Sequence, residues 1–277
     1  MTDDDFKFLA QNVRRRSGII LPPHKMKFIA GQLAPVQRRF GFRSVEALIA
    51  ELRHGRETLA RAVAEALTTN ESSFFRDKAA FEQFHDIVLP RLIEARASTK
   101  RLRIWCAACA AGQEPYSVAM LLDDAKLPAK GWSIDLIATD FSGEAIARAE
   151  GGLYSHFEVQ RGLAIRRLVA HFTQEGGSWR IHENLRRMVS FRQFNLLDSF
   201  GWLDDLDAVF CRNVLIYFDQ KTKVSVLDKM AEILMPDGAL MLGHAESVRG
   251  LSDVFTPFED APGMFVKRRA VVQRLAG

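Results

Sequence analysis

Up to about residue 67 the apolar residues recur every three or four positions: Phe6, Leu9 and Val13, then Ile29, Leu33, Val36 and Phe40. That period places each set on one face of a helix. Ser44 can cap a third helix over residues 45–52. The breaks fall at Ser17-Gly18, Pro22-Pro23, Gly41 and Gly55, residue types that punctuate helices. Pro35 lies inside the second helix, where proline costs about 3 kcal/mol, so a kink or an early end is expected.

From residue 102 the pattern changes. Apolar runs at 102–106, 133–139 and 206–210 alternate with helical stretches at 115–124, 143–150 and 222–234. Runs apolar on both faces, each followed by a helix, read as strands of a covered, mostly parallel sheet. The expected fold class is α/β with an N-terminal all-α domain. Residues 151–194 interrupt the rhythm: Gly151-Gly152, Gly176-Gly177 and the runs Trp179-Arg180-Ile181 and Met188-Val189-Ser190-Phe191 read as a small inserted subdomain with a hairpin. Pro236-Asp237-Gly238 reads as a helix stop and turn, and residues 239–243 with 264–268 as an antiparallel pair closing the sheet. Between the two textures, Leu67 to Asp77 is rich in Thr, Asn, Ser and aromatic residues. It is either a binding loop or a capped turn into a helix over residues 78–94.

Composition narrows the class. With 277 residues, 48% hydrophobic and 26% charged, the chain can bury a sizeable core. No apolar run approaches a membrane span, the acidic start Thr2-Asp3-Asp4-Asp5 is unlike a signal peptide, and three cysteines make no disulfide framework. A soluble, monomeric cytoplasmic protein without membrane insertion is expected. The formal charge of +4 is unevenly placed: residues 1–69 carry 12 Lys and Arg against 7 Asp and Glu, and the remainder is close to neutral. A basic N-terminal module fits an anionic partner, nucleic acid or an acidic protein surface, or else is a solvated face.

The candidate chemistry begins after the first strand. Ala107-Ala108-Cys109-Ala110-Ala111-Gly112 leads into a helix whose Pro115 suits its first turn. Small residues at a strand's carboxyl end let a nucleotide-like ligand approach the backbone, although they can also serve close helix packing. A phosphate loop would need Gly-Lys-Ser/Thr, and the chain has Gly112-Gln113-Glu114. The Glu114 carboxylate repels phosphate and welcomes a cation or ribose hydroxyls, which points to S-adenosylmethionine with its positive sulfonium. Asp140, 28 residues beyond Gly112 at the tip of the next strand, can accept both ribose hydroxyls, or cap the following helix. Cys106 and Cys109 have zinc spacing, but Cys211 stands alone, so no metal is expected. Trp105 reads as core and His244 as a satisfied structural group.

Six motifs together resemble one family. They are Thr68-Thr69-Asn70-Glu71 with Phe74-Phe75-Arg76, Ala-Cys-Ala-Ala-Gly-Gln-Glu-Pro-Tyr-Ser around Glu114, Ala138-Thr139-Asp140, Asn195-Leu196-Leu197, Cys211-Arg212-Asn213-Val214-Leu215-Ile216-Tyr217-Phe218, and Leu242-Gly243-His244-Ala245-Glu246-Ser247. In this order they look like the chemotaxis receptor methyltransferases, the CheR family. The resemblance implies a class I S-adenosylmethionine-dependent, Rossmann-like methyltransferase that esterifies specific glutamates on chemoreceptor cytoplasmic helices, leaving S-adenosylhomocysteine. It implies a helical receptor-docking domain over 1–76, a linker helix over 77–99 and a methyltransferase domain over 100–277, with the β-subdomain inserted at about 151–194. Carried over by motif, the cofactor contacts are Asn70, Ser72, Arg76, Glu114, Asp140, Asn195, Leu196, Arg212 and Asn213. Arg76 and Arg212 are expected to orient groups in the site, with Tyr217 at the reacting end.

This chain departs from the family pattern in three places. Gln113 stands where an acid is common, and Ser72 where threonine is common. Gln32 and Pro35 fall where arginine is usual, so receptor docking rests on Lys25, Lys27, Arg38, Arg39 and Arg43. The short loop Gln174-Glu175-Gly176-Gly177-Ser178 argues against a pentapeptide tether. Cys211-Arg212-Asn213-Val214 stands where base methyltransferases carry Asn/Asp-Pro-Pro-aromatic, so nucleic acid is not the expected substrate.

Overall fold

The computed structural model describes residues 1–258 and 261–268; the end of the methyltransferase domain as delimited above, 269–277, lies outside them. The N-terminal part is built from α1 (Asp3–Ser17), α2 (Met26–Phe40), α3 (Val45–Arg53) and α4 (Glu57–Ala66). In α1, Thr2 and Asp5 form a capping box, three aspartates occupy the first turn and three arginines the last, each matched to the helix dipole. The apolar stripes meet in one core around Leu9, Ile29, Leu33, Ile49 and Val63. Helix α2 runs through Pro35 without ending. Pro35 and Gly31, whose carbonyl lacks its amide partner, both face solvent, so water can take the vacant acceptor.

Two short helices, α5 (Lys78–Gln83) and α6 (Leu89–Ala95), are joined by a π-turn over Phe84–Val88, one wide turn ahead of Pro90. Asp77 begins α5 with φ 57° and no side-chain cap, so the capped-turn reading of this stretch does not describe it. The remaining elements are β1 (Arg101–Ala107), α7 (Gln113–Asp124), β2 (Ser133–Asp140), α8 (Gly143–Gly151), β3 (Leu153–Ser155), α9 (His156–Gln160), α10 (Ile165–His171), β4 (Phe172–Glu175), β5 (Ser178–Ile181), α11 (Glu183–Met188), β6 (Val189–Gln193), β7 (Leu206–Cys211), α12 (Gln220–Ile233), β8 (Leu234–Leu242), β9 (Phe255–Pro257) and β10 (Met264–Lys267).

The main sheet has the order β6-β2-β1-β7-β8-β10-β9, and β3-β5-β4 form a separate small sheet. Strands β6, β2, β1, β7 and β8 are parallel, and β10 runs antiparallel to β8. Alternate residues feed the two faces: Ile104 and Cys106 join one core, Trp105 and Ala107 the other, as the period of two requires. Two expectations change. Val189–Gln193, placed with the insertion from sequence, pairs with β2 in the main sheet, because its apolar run finds a parallel neighbour there. Pro236-Asp237-Gly238 lies within β8 rather than in a turn, where the register with β7 shifts between Leu206 and Ala208; the proline and glycine mark a bulge.

The helical part is fastened where the parallel strands end. Ile19 forms an antiparallel bridge with Phe218, the Ile20 amide donates to the Tyr217 carbonyl at 2.9 Å, and Arg14 pairs with Asp219. The Asn195 side-chain amide donates to the Arg16 carbonyl at 2.6 Å. Strand order reverses about β1, the place where open α/β sheets bind ligands.

Candidate functional site

Beyond β1 the backbone turns sharply, with Ala108 and Ala110 left-handed at φ 56° and 49°. Any residue that carries a Cβ pays about 1–2 kcal/mol for this conformation. Hydrogen bonds hold the turn: the Cys109 amide donates to the Thr139 carbonyl at 2.8 Å, and the Ala110 amide to Asp140 Oδ2 at 2.9 Å. The other Asp140 oxygen accepts the Ser142 amide at 2.8 Å. Asp140 therefore ties the loop after β1 to the loop after β2. It does not cap α8; that is the Ser142 hydroxyl. Gly112 starts α7 at φ 90°, and a Cβ there would lie 2.9 Å from the Ala149 Cβ and 3.1 Å from the Tyr154 hydroxyl.

Glu114, in the first turn of α7, accepts from Arg212 Nη1 at 3.0 Å. Arg212 Nη2 donates to Asp77 Oδ2 and to the Arg76 carbonyl, both at 2.8 Å. The Arg212 side chain is 1% exposed, and its Nε is buried without a partner among the described residues. Arg212 thus organises the site from within, holding Glu114 and the loop before α5 together. Asn213 is left-handed at φ 60°. Its amide donates to Glu246 at 2.8 Å, as do those of Gly243 at 2.7 Å and Ile216 at 3.2 Å.

Asn70, Ser72, Arg76, Glu114, Asp140, Asn195, Leu196, Arg212, Asn213 and Tyr217 all line one cleft of about 870 Å³, part of it open to solvent. Arg76 Nη1 donates to the Glu71 carbonyl at 3.1 Å, and Asn70 Oδ1 accepts from the Thr68 hydroxyl at 3.2 Å. Asn195 Oδ1 accepts the Leu197 amide at 3.0 Å, so its side chain already serves structure at both ends. The cleft suits S-adenosylmethionine. Asp140 and Glu114 offer oxygens to hydroxyl or ammonium hydrogens, Phe141, Phe194 and Leu196 offer apolar walls to a base, and the unpartnered Arg212 Nε offers a donor to a carboxylate.

Burial pushes the carboxyl groups of Glu114 and Asp140 above their ordinary values, against the pull of Arg212 on the first and of the Ser142 and Ala110 amides on the second. Both therefore take up protons earlier than ordinary carboxylates as pH falls. S-adenosylhomocysteine affinity is expected to weaken as pH is lowered from neutrality, and to do so at a higher pH than ordinary carboxylates would give, measured by calorimetry; a flat profile would refute this. The sign for stability is opposite. Their burial cost is present above the raised folded values and relieved on acidification, whereas Asp219, held at about 2 by the Thr222 amide and by Arg14, contributes stability that is lost as pH falls from about 4 towards 2. Burial pushes the thiols of Cys106, Cys109 and Cys211 well up, and the described residues contain no group of His, Cys, Asp and Glu able to hold a metal.

The family model described as CheR methyltransferase, SAM binding domain, matches residues 70–263, and the one described as CheR methyltransferase, all-alpha domain, matches residues 4–68. The chain belongs to the CheR methyltransferase family. By that match it is an S-adenosylmethionine-dependent methyltransferase. It is 36% identical over 269 residues to chemotaxis protein methyltransferase 1 of Pseudomonas aeruginosa, covering 96% of this chain and 98% of that one. The chemotaxis protein methyltransferase of Vibrio parahaemolyticus is 35% identical over 271 residues, with 96% and 98% covered. That of Escherichia coli is 33% identical over 265 residues, with 92% and 88% covered.

Within this CheR-family site the structure adds residues not assigned from sequence. Glu246 clamps the ends of β7 and β8, and Ser17 and Ile19 bring the N-terminal part to the rim of the cleft. The Ile19-Ile20 pair, apolar but outside any helical stripe, was the available signal. His244 is exposed rather than satisfied inside the fold, while Trp105 is fully buried, its indole N–H donating to the Thr139 hydroxyl at 3.0 Å. Lys25, Lys27, Arg38, Arg39 and Arg43 are all exposed, and α2 also exposes Phe28.

Proposed function

We propose that this methyltransferase forms methyl esters on glutamate side chains of chemoreceptor cytoplasmic helices, a protein-glutamate O-methyltransferase used in sensory adaptation. The observation that carries the reading is the absence of a general base. No His or Lys lines the cleft among the described residues, its one cysteine has a thiol pushed up by burial, its two buried carboxylates are engaged by Arg212 and by backbone amides, and the exposed carboxylate of Glu71 is paired with Arg161. An amine or hydroxyl acceptor would need deprotonation. A glutamate, with an ordinary pKa of about 4.3, is already ionised at neutral pH.

When bound, S-adenosylmethionine supplies an electrophilic methyl carbon whose departure leaves a neutral thioether. The chain's own work is to align and desolvate. Asp140 and Glu114 hold polar parts of the cofactor, Asn70, Ser72, Asn195, Leu196 and Asn213 shape its walls, and Arg212 positions Glu114. Arg76 and Tyr217, at the edge of the cleft, orient the acceptor carboxylate. Opposite charges meet and vanish in the reaction, so arginines that gripped the acceptor tightly would favour the ground state over the transition state. Lys25, Lys27, Arg38, Arg39 and Arg43 give the helical part an exposed basic surface for an acidic receptor helix, without need of a tether at the insertion. The described residues contain no helix long and apolar enough to cross a membrane, and a monomer acting at the cytoplasmic face of the receptor is the simplest assembly.

The test uses S-adenosylmethionine labelled in its methyl group and membranes containing a chemoreceptor from the same organism. Label should enter the receptor and leave as methanol in mild alkali, as carboxyl esters do. Alkali-stable label, or none with a protein that binds S-adenosylhomocysteine, would overturn the proposal. In the same assay Arg76→Ala is expected to lower kcat/KM at least tenfold; undiminished turnover would remove Arg76 from the site.

A further inference from the structure

We propose that the inserted subdomain is the back wall of the cofactor site, with Tyr154 as its positioning residue, although no residue between 142 and 193 lines the cleft. The inference rests on the cofactor site described above and asks how that site keeps its shape. Two loops line the cleft, one through Asn70, Ser72 and Arg76 and the other through Ala108, Cys109 and Ala110, and Tyr154 touches both from behind, at Phe74 and Ala111. Its hydroxyl donates to the Ala111 carbonyl at 2.8 Å. Its ring meets the Phe74 ring edge-on, with centroids 4.9 Å apart.

Phe74 is fully buried and also meets Phe172 of β4 edge-on at 5.5 Å. The loop's aromatic side therefore faces the insertion, while Asn70, Ser72 and Arg76 line the cleft. Backbone meets backbone as well: Gly162 has φ +97°, and a Cβ there would lie 2.0 Å from the Phe74 carbonyl oxygen. Arg161 pairs with Glu71 at 2.7 Å, and the Arg167 guanidinium sits 4.3 Å from the centre of the Phe75 ring. The insertion thus grips the first loop at Glu71, Phe74 and Phe75, and the second at Ala111.

A ligand that spans both loops fixes the spacing that Tyr154 sets, so the insertion and the cofactor are energetically linked. Stiffening either one tightens the other by the same factor. The insertion is in this sense a sensor of cofactor occupancy at a distance from the cleft.

Two measurements test this with S-adenosylhomocysteine as the probe. Tyr154→Phe keeps the ring and removes the hydroxyl. It is expected to raise the calorimetric Kd about five- to tenfold while the ligand-free protein melts within about 4 °C of the parent. A variant that binds as the parent does, whatever its melting temperature, overturns the proposal, since a merely structural tyrosine would move only the melting. Hydrogen exchange on the unaltered chain is the second measurement and needs no variant. Saturating S-adenosylhomocysteine should slow the amides of β4 and β5 at least threefold, and protection confined to the cleft-lining segments overturns the proposal. If the parent does not bind S-adenosylhomocysteine at all, the cofactor site itself is wrong and this inference falls with it.

Discussion

Asp140→Ala is expected to weaken S-adenosylhomocysteine binding by about 100-fold or more, beyond the reach of calorimetry at ordinary protein concentrations. A charged acceptor contributes about 1.5–3 kcal/mol per hydrogen bond, and a carboxylate that takes two ribose hydroxyls would lose both. The variant also strands the amides of Ala110 and Ser142, which donate to Asp140 at 2.9 and 2.8 Å, so the loop over the ligand loosens as well. Asp140→Asn separates the two effects, since it retains one carbonyl oxygen and should lose less. Affinity within threefold of the parent for Asp140→Ala would show that the ligand lies elsewhere.

The largest effect on stability is expected from Arg212→Met. The methionine fills much of the same volume but leaves Glu114 as a buried carboxylate without its partner. Breaking a buried pair from one side costs about 3–5 kcal/mol, which for a chain of this size is a fall in Tm on the order of 10 °C. Asp77 is 42% exposed in its side chain and adds little. The double variant Arg212→Met with Glu114→Gln should recover part of the loss, because no charge is then buried alone. A single variant that melts within about 2 °C of the parent would mean that Arg212 does not hold Glu114.

Much of this site could be read from the chain because it follows local rules. Glu114 and Asp140 were assigned from strand, small-residue loop and helix in succession, and their positions depend only on where β1 and β2 end. The 67–77 loop declared itself as irregular but not its two-sided character, since the seat of Phe74 is made by Tyr154 and Phe172, some 80 to 100 residues later. Glu246 was visible as a letter in a motif, yet its role arises only when the amides of Asn213, Ile216 and Gly243 converge across two strand ends. Pro236-Asp237-Gly238 misled because residues that favour turns also favour bulges. Which one they form is decided by β7 pairing alongside, information that no local window contains.

The bridge between Ile19 and Phe218 has a consequence for how the molecule is born. The helical part can collapse early, since its core draws on residues 6–67 alone. The cleft cannot, because its rim joins residue 19 to a strand end made almost 200 residues later. Contacts so distant along the chain form late and pay a loop-closure cost first. On the ribosome the residues of the basic helical core are therefore complete long before those of the cofactor site.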